Sequence, residues 1–242
     1  MFNSSPFDAN VITIPEDCDV VFVADMFAEN YAGGAELTTQ ALIDASPFTV
    51  FKLHSKDVSQ TLLEQGHRKH WIFGNFSAMD MNLIPTIVAN MSYSILEYDY
   101  KYCRYRSPEK HLEVEKKECD CHENIYGKMI SAFYQGSKSL WWMSEKQMEH
   151  YHKKFPFLGE KANTVLSSVF DEKFFLSAKL LREKYKDTEK KKWAILGSNS
   201  WIKGVDEAKS WCDENGHEYE ILWGLPYDEL LEKLAQSRGL VF

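Results

Sequence analysis

Four groups of residues have the types and spacing to do chemistry. The first is Gly33-Gly34, set between an apolar run, Val20-Val21-Phe22-Val23-Ala24, and a helix-forming stretch that opens at Ala35-Glu36. Adjacent glycines let the backbone turn sharply and approach a ligand closely. A helix that begins just after them aims unpaired N–H groups and its positive dipole end at the gap, which suits an anion. A tight loop with no ligand would use the same residues. The second group is Gly197-Ser198 followed by Lys203-Gly204, again after an apolar run and before a helix-forming stretch. A lysine beside a helix N-terminus suits a diphosphate, although alone it reads as a surface lysine. The spacing in both groups is neither that of a P-loop nor that of a dinucleotide fingerprint. The third group is Glu97 and Asp99, at the end of the β-rich run Tyr93-Ser94-Ile95-Leu96. A carboxylate there can polarise a hydroxyl, or it can simply terminate the strand.

The fourth group is Cys103, Cys119 and Cys121, with His111 and His122 close by. These are zinc-ligand types. The C-x-C-H run is not the usual C-x-x-C knuckle, however, and Cys103 is distant in sequence. Free or buried thiols are the commoner explanation of such a set and a disulfide is an alternative, so the expectation is no metal. Cys18 and Cys212 read as isolated structural residues, and His54, His67 and His70 show no partner pattern.

The elements that must position these residues alternate strand and helix. Phe48 to Leu53, His70 to Phe73 and Tyr93 to Glu97 read as strands after the first, with helices from Asp57-Val58-Ser59-Gln60 to about Gly66 and from Met81 to Asn90, where Pro85 must sit in the first turn. Tyr98 to Glu123 breaks the pattern as an irregular excursion (98–123) carrying the cysteines. Order resumes with a helix over Gly127 to Tyr134, a strand over Ser139 to Met143, a capping box at Ser144 to Gln147 opening a helix to Lys154, and a strand over Thr164 to Val169. A short helix and a charged run fill 173–192 as a linker. A second series then begins: strand Trp193 to Leu196, helix Val205 to Asn215, strand Tyr219 to Trp223, helix Asp228 to Gln236, and the start of a strand at Leu240-Val241-Phe242. Strands separated by helix-length segments predict βαβ units and parallel sheets. The fold class is therefore α/β, with a Rossmann-like parallel-sheet domain over 1–172 and the first part of a second Rossmann-like domain over 193–242.

Composition narrows the function. The 242 residues are 44% hydrophobic and 14% aromatic, enough for a real core, and the net charge of −8 provides no basic footprint for nucleic acid. No apolar run is long enough for a membrane span. Met1 to Asn10 lacks a basic start and an apolar core, so no signal peptide is expected. Five cysteines, an odd number, without such a signal fit a reducing, cytoplasmic setting.

Taken together, Gly33-Gly34-Ala35-Glu36, Met143-Ser144-Glu145, Ser167-Ser168-Val169-Phe170-Asp171 and Leu196-Gly197 with Lys203-Gly204 resemble the GT-B glycosyltransferases, most closely the retaining group called family four. The resemblance runs in order over nearly the whole chain, through short and loose motifs. It implies GT-B architecture, two facing Rossmann-like domains with a nucleotide-sugar donor held mainly by the second. Gly33-Gly34 would line the cleft near the donor phosphates and the acceptor, and Lys203 would contact the donor diphosphate, with Gly197, Ser198 and Gly204 around it. Glu97 and Asp99 would stand where relatives carry a histidine-aspartate pair facing the acceptor. In this group the donor phosphate is thought to take the acceptor proton, so no strong protein base is required. No cofactor or metal is implied, and the acceptor would be a glycan, a lipid-linked or a protein-linked sugar.

Two departures stand out. Ser198 occupies a position where the family usually has arginine, which weakens or alters phosphate binding. The donor-binding segment with two glutamates should follow the strand at Leu240-Val241-Phe242. The expectation is a truncated glycosyltransferase, or a non-catalytic, degenerate binding module or subunit that needs a homo-oligomer or a complementing chain.

Overall fold

A computed structural model describes residues 12–242; the signal-peptide expectation for Met1 to Asn10 lies outside them. Two compact units divide between Val169 and Phe170.

The first unit alternates β1 (Val20–Ala24), α1 (Gly34–Ala45), β2 (Val50–His54), α2 (Gln60–Gln65), β3 (His70–Phe73), α3 (Ile84–Asn90) and β4 (Ser92–Glu97). It continues through α4 (Pro108–Glu115), α5 (Ile125–Gly136), β5 (Ser139–Trp142), α6 (Glu145–Lys154) and β6 (Ala162–Val165). The six strands form one parallel sheet in the order β2-β1-β3-β4-β5-β6. All five residues of β1 are buried, as an apolar run in the middle of a doubly covered sheet must be. The order reverses between β1 and β3, the topological switch point at which open α/β sheets leave a crevice beyond the carboxyl ends of their strands.

Local chemistry explains where the elements begin. Ser59 caps α2 by accepting from Leu62 N, and Pro85 sits in the first turn of α3, where its missing N–H costs nothing. Ser144 Oγ accepts from Gln147 N at 3.1 Å, and Gln147 Oε1 returns the contact to Met143 N at 2.8 Å. That reciprocal bond is the expected capping box, reaching one residue further back. The strand expected over Thr164 to Val169 lies earlier, at Ala162–Val165, because Ser167 has φ of 63° and cannot extend it. The excursion after β4 is not wholly irregular: Ser107 accepts from Lys110 N, and Pro108 occupies the first turn of α4.

One face of the sheet packs Trp71, Phe73, Tyr93, Ile95 and Trp142 against α2, α3, α5 and α6. At its centre Phe133 of α5 meets Phe73 at 5.2 Å, Phe76 at 5.3 Å and Tyr93 at 5.0 Å between ring centroids. On the other face Phe22, Ala24 and Leu96 pack with Leu42 and Ile43 of α1. An apolar cavity of about 490 Å³ opens beside α1 near Asp19, Val20 and His70, at the amino ends of the strands and so away from the crevice.

The second unit, Phe170–Phe242, contains α7 (Glu172–Lys184), β7 (Trp193–Leu196), α8 (Val205–Glu214), β8 (Tyr219–Leu222), α9 (Tyr227–Gln236) and β9 (Leu240–Val241). Its parallel sheet has the order β8-β7-β9, repeating the way the first sheet starts. Ile195, Ala208 and Cys212 form its small core. Residues 173–192, expected as a linker after a boundary at 172, belong to this unit. Most of them are α7, which is tied to α9 where Lys184 Nζ lies 2.6 Å from Glu232 Oε1 and Tyr185 donates to the same oxygen. Among the described residues no helix is long and apolar enough to cross a membrane.

Phe133→Ala removes the ring on which Phe73, Phe76 and Tyr93 converge. It is expected to lower the opening free energy of the slowest-exchanging β3 and β4 amides by about 3–5 kcal/mol in hydrogen exchange. Ile125→Ala, at a side chain 88% exposed, is expected to shift it by less than about 0.5 kcal/mol.

Candidate functional site

Four strand ends of the first unit converge on the switch-point crevice. Asp25 follows β1, Ser55 follows β2, Asn75 to Ser77 follow β3, and Glu97 ends β4 with Tyr98 to Arg106 after it. Asp25 accepts from Ser55 Oγ and Ser77 Oγ, each at 2.5 Å, and from Ala78 N at 3.2 Å. Burial opposes its ionisation, but those hydrogen bonds hold the Asp25 carboxyl below the ordinary carboxylate range.

Arg106 bridges the strand ends. Its guanidinium donates to Asn75 Oδ1 at 2.8 Å and lies 3.7 Å from Asp25 Oδ2. Its Nε stands 2.7 Å from Asp99 Oδ2, although the N–H is not directed along that contact. The residue adopts φ of 55°, unusual for an arginine, and its N–H is fixed on Cys103 O at 2.8 Å. Backbone held in a sparsely populated region beside a crevice, with a cation projecting from it, is a common feature of ligand sites.

Glu97 does something other than polarise a hydroxyl. It is 1% exposed, and its oxygens accept from Lys101 Nζ at 2.6 Å, Asp99 N at 2.9 Å, Tyr151 OH at 2.6 Å and the hydroxyl of Tyr134. With those four donors the carboxylate is saturated and has no room for a substrate. Burial, and then Asp99, push the Glu97 carboxyl above its ordinary range, against the pull of Lys101 and the Tyr134 hydroxyl. Lys101 is itself buried, between Glu97 and Asp99 and over the Phe76 ring at 5.5 Å. Asp99 is partly exposed and engaged by both cations.

Gly33 is the N-cap of α1, in extended conformation and without a side-chain cap. A Cβ on Gly33 would fall 2.4 Å from Glu36 Oε2 and 2.5 Å from the Tyr31 ring, whereas Gly34 faces open space. Glu36 therefore lies over the helix N-terminus as the local anion. Burial and then Asp25 raise its carboxyl above the usual range, which eases its neutralisation when another anion approaches. Thr39, one turn into α1, meets Tyr98 OH at 2.5 Å and joins the glycine loop to the end of β4.

In the second unit, Gly197 follows β7, and its N–H donates to Leu222 O at 2.8 Å. A Cβ there would strike Trp223 Cβ at 2.6 Å, so only glycine lets the turn lie against β8. Gly204 adopts φ of 68° as the N-cap of α8. Between the turn and the helix is a cavity of about 210 Å³ lined by Gly197, Ser198, Trp201, Asp206, Lys209 and Trp223. Lys203 is exposed and does not line it; the lysine that does is Lys209, paired with Asp206 at 2.9 Å.

The cysteines also converge. The donor atoms of Cys103, His111, Cys119 and Cys121 all lie within 4.8 Å of one another, and all four residues are buried. The fourth member is His111 and not His122, which packs edge-on against Tyr102 and Phe155. Its partner spacing was hidden in the sequence because α4, not predicted there, brings His111 back over Cys103. Burial pushes the Cys119 thiol up to about 12, and Cys103 and Cys121 add to the rise.

No protein-family model and no curated protein matches the chain. Sequence reasoning missed Asp25, Lys101, Arg106 and Lys209. Asp25 had a legible signal, a carboxylate directly after a fully apolar strand. The others sit in charged stretches whose folding the pattern does not reveal.

Lys101→Met would leave Glu97 buried without its cation, expected to destabilise the first unit by about 3–5 kcal/mol at neutral pH. A carboxyl whose folded pKa lies above its unfolded value favours folding at low pH, and that advantage is lost as pH rises through the folded pKa. The denaturation midpoint of Lys101→Met should thus fall further below wild type at about pH 8 than at about pH 5. Adding Glu97→Gln should remove most of that pH dependence.

Proposed function

We propose that the chain binds a nucleotide-sugar through its second unit and belongs mechanistically with retaining glycosyltransferases of the GT-B type, acting on a glycan or other sugar-bearing acceptor. The observation that carries this reading is the cavity at the carboxyl end of β7. Gly197 and Ser198 bring backbone close, the N-terminal turn of α8 supplies dipole and Lys209 charge, and Trp201 and Trp223 offer aromatic faces. Anions favour helix N-termini, and rings stack on exposed indoles. At about 210 Å³ the cavity is smaller than the roughly 300–1,000 Å³ of a whole ligand pocket, so it would take a part of the donor such as its diphosphate.

On this reading the switch-point crevice of the first unit serves the acceptor. Gly33-Gly34 places a helix N-terminus, covered by Glu36, near Asp25, while Arg106 and Asp99 present one cation and one anion to hydroxyls. Glu97 acts as the internal anchor of Lys101. The reaction needs no protein base if the donor phosphate takes the acceptor proton, and it uses no metal cofactor. Saturation of Glu97 also favours a second reading, a module that binds donor or acceptor without turnover.

Titration calorimetry of the full chain with UDP- and GDP-sugars tests the proposal. Saturable binding of at least one donor is expected. Lys209→Ala should weaken it at least about tenfold, the loss of one charge-assisted contact costing about 1.5–3 kcal/mol. Lys203→Ala, outside the cavity lining, should weaken it less. Absence of binding by every nucleotide-sugar would sink the reading. Binding without sugar transfer to any acceptor would select the second one.

A further inference from the structure

We infer that Cys103, His111, Cys119 and Cys121 form a structural zinc site that staples the excursion between β4 and α5. The geometry points to a mononuclear tetrahedral ion. Zn–S bonds of about 2.3 Å and a Zn–N bond of about 2.0 Å at a tetrahedral angle place sulfur and nitrogen about 3.5 Å apart. His111 Nδ1 lies 3.5 Å from Cys121 Sγ and 3.8 Å from Cys103 Sγ. With all four donor atoms inside 4.8 Å, the group is too tight to surround a four-iron cluster.

Its surroundings are those of a ligand sphere. His111 is 1% exposed, its Nδ1 is aimed at the sulfurs, and its Nε2 faces Asp120 Oδ1 at 3.9 Å with no hydrogen-bond partner. A carboxylate on the far nitrogen is the usual way of fixing a metal-bound imidazole. The backbone is shaped to the cluster as well: a Cβ on Gly127 would fall 2.1 Å from Cys121 O, so glycine alone lets α5 lie against the Cys121 turn. Lys116 ends α4 in the left-handed conformation, turning the chain back toward Cys119 and Cys121. Four protein ligands, all buried, leave no open position for substrate, which makes the ion structural and not catalytic.

What the ion would hold is specific. Cys103 shares its turn with Lys101, which pairs with the buried Glu97, and with Arg106, which bridges the strand ends at the switch-point crevice. A metal bound at Cys103 fixes that turn to α4 and to the start of α5.

The test is metal analysis of the full chain, purified anaerobically from zinc-supplemented cells and desalted. One zinc ion per chain is expected, retained by His122→Ala and lost from Cys103→Ser and from His111→Ala. Because those variants can misfold, a second measurement uses the unaltered protein. Zinc is removed with a chelator and a thiol-blocking mercurial, the thiols are regenerated, and cobalt(II) is added. Intense visible bands of a tetrahedral cobalt thiolate, abolished by one equivalent of zinc, are expected. Metal-free protein, zinc that survives both Cys103→Ser and His111→Ala, loss on His122→Ala with retention on His111→Ala, or octahedral cobalt spectra would each overturn the assignment. So would a disulfide linking any two of Cys103, Cys119 and Cys121 in the anaerobic protein.

Discussion

The buried carboxylate of Glu97 is the constraint on which the first unit's carboxyl edge depends. A charge taken that far from water is tolerable only if it is paired and its lone pairs are filled. Tyr134 comes from α5, Tyr151 from α6, Lys101 from the turn after β4, and the fourth donor is the Asp99 backbone. Satisfying one side chain therefore fixes two helices and a loop against the end of β4. Tyr134 and Tyr151 stack 5.6 Å apart, and Trp142 packs on Tyr151 at 4.8 Å, so the polar hub is embedded in aromatic packing that excludes water and strengthens it.

Lys101 cannot serve Glu97 without bringing its own turn inward, and that turn carries Arg106. The guanidinium then lies across the ends of β1, β3 and β4, where the strand order reverses. Position in the sheet and the charge network thus arrive at the same crevice from different directions. The topology provides the gap, and the buried pair dictates which cation stands in it. A bare switch point would be a weak argument for a site, since every open α/β sheet has one. A strained arginine anchored there by a buried ion pair is a stronger one.

Much of the fold was legible because its signals are local. The Val20 to Ala24 run, Ser59 and Ser144 as caps, and Pro85 in a first turn each need only a few neighbouring residues to declare themselves. The start of β9 at Leu240–Val241 was readable in the same way, although its pairing with β7 was not. What stayed hidden depends on contacts distant in sequence. Glu97 looked like a strand-end carboxylate because the two tyrosines that bury it lie 37 and 54 residues away. Likewise α4 has a charged, weakly patterned sequence, which shows the type of His111 but not its place. The stretch 173–192 reads as a linker from its charge alone, and only its contacts with α9 reveal a helix docked by polar groups.

The excursion after β4 is where these threads meet. Its first turn buries Tyr102 against Tyr151 and Phe155, but α4 contributes only His111 as a buried residue. Apart from Tyr102 and the cysteines, the segment has little hydrophobic reason to hold one conformation. Yet it must present Lys101 to a fully buried acid and keep Arg106 in a left-handed turn, both of which demand rigidity. The turn is closed by Cys103 N on Tyr100 O and Arg106 N on Cys103 O, so Cys103 is its centre, and its side chain leads directly to His111, Cys119 and Cys121. Coordination at that point supplies from ligand bonds the order that hydrophobic burial does not. It also gives a reason for three thiols and an imidazole to be gathered around a helix with only one buried residue.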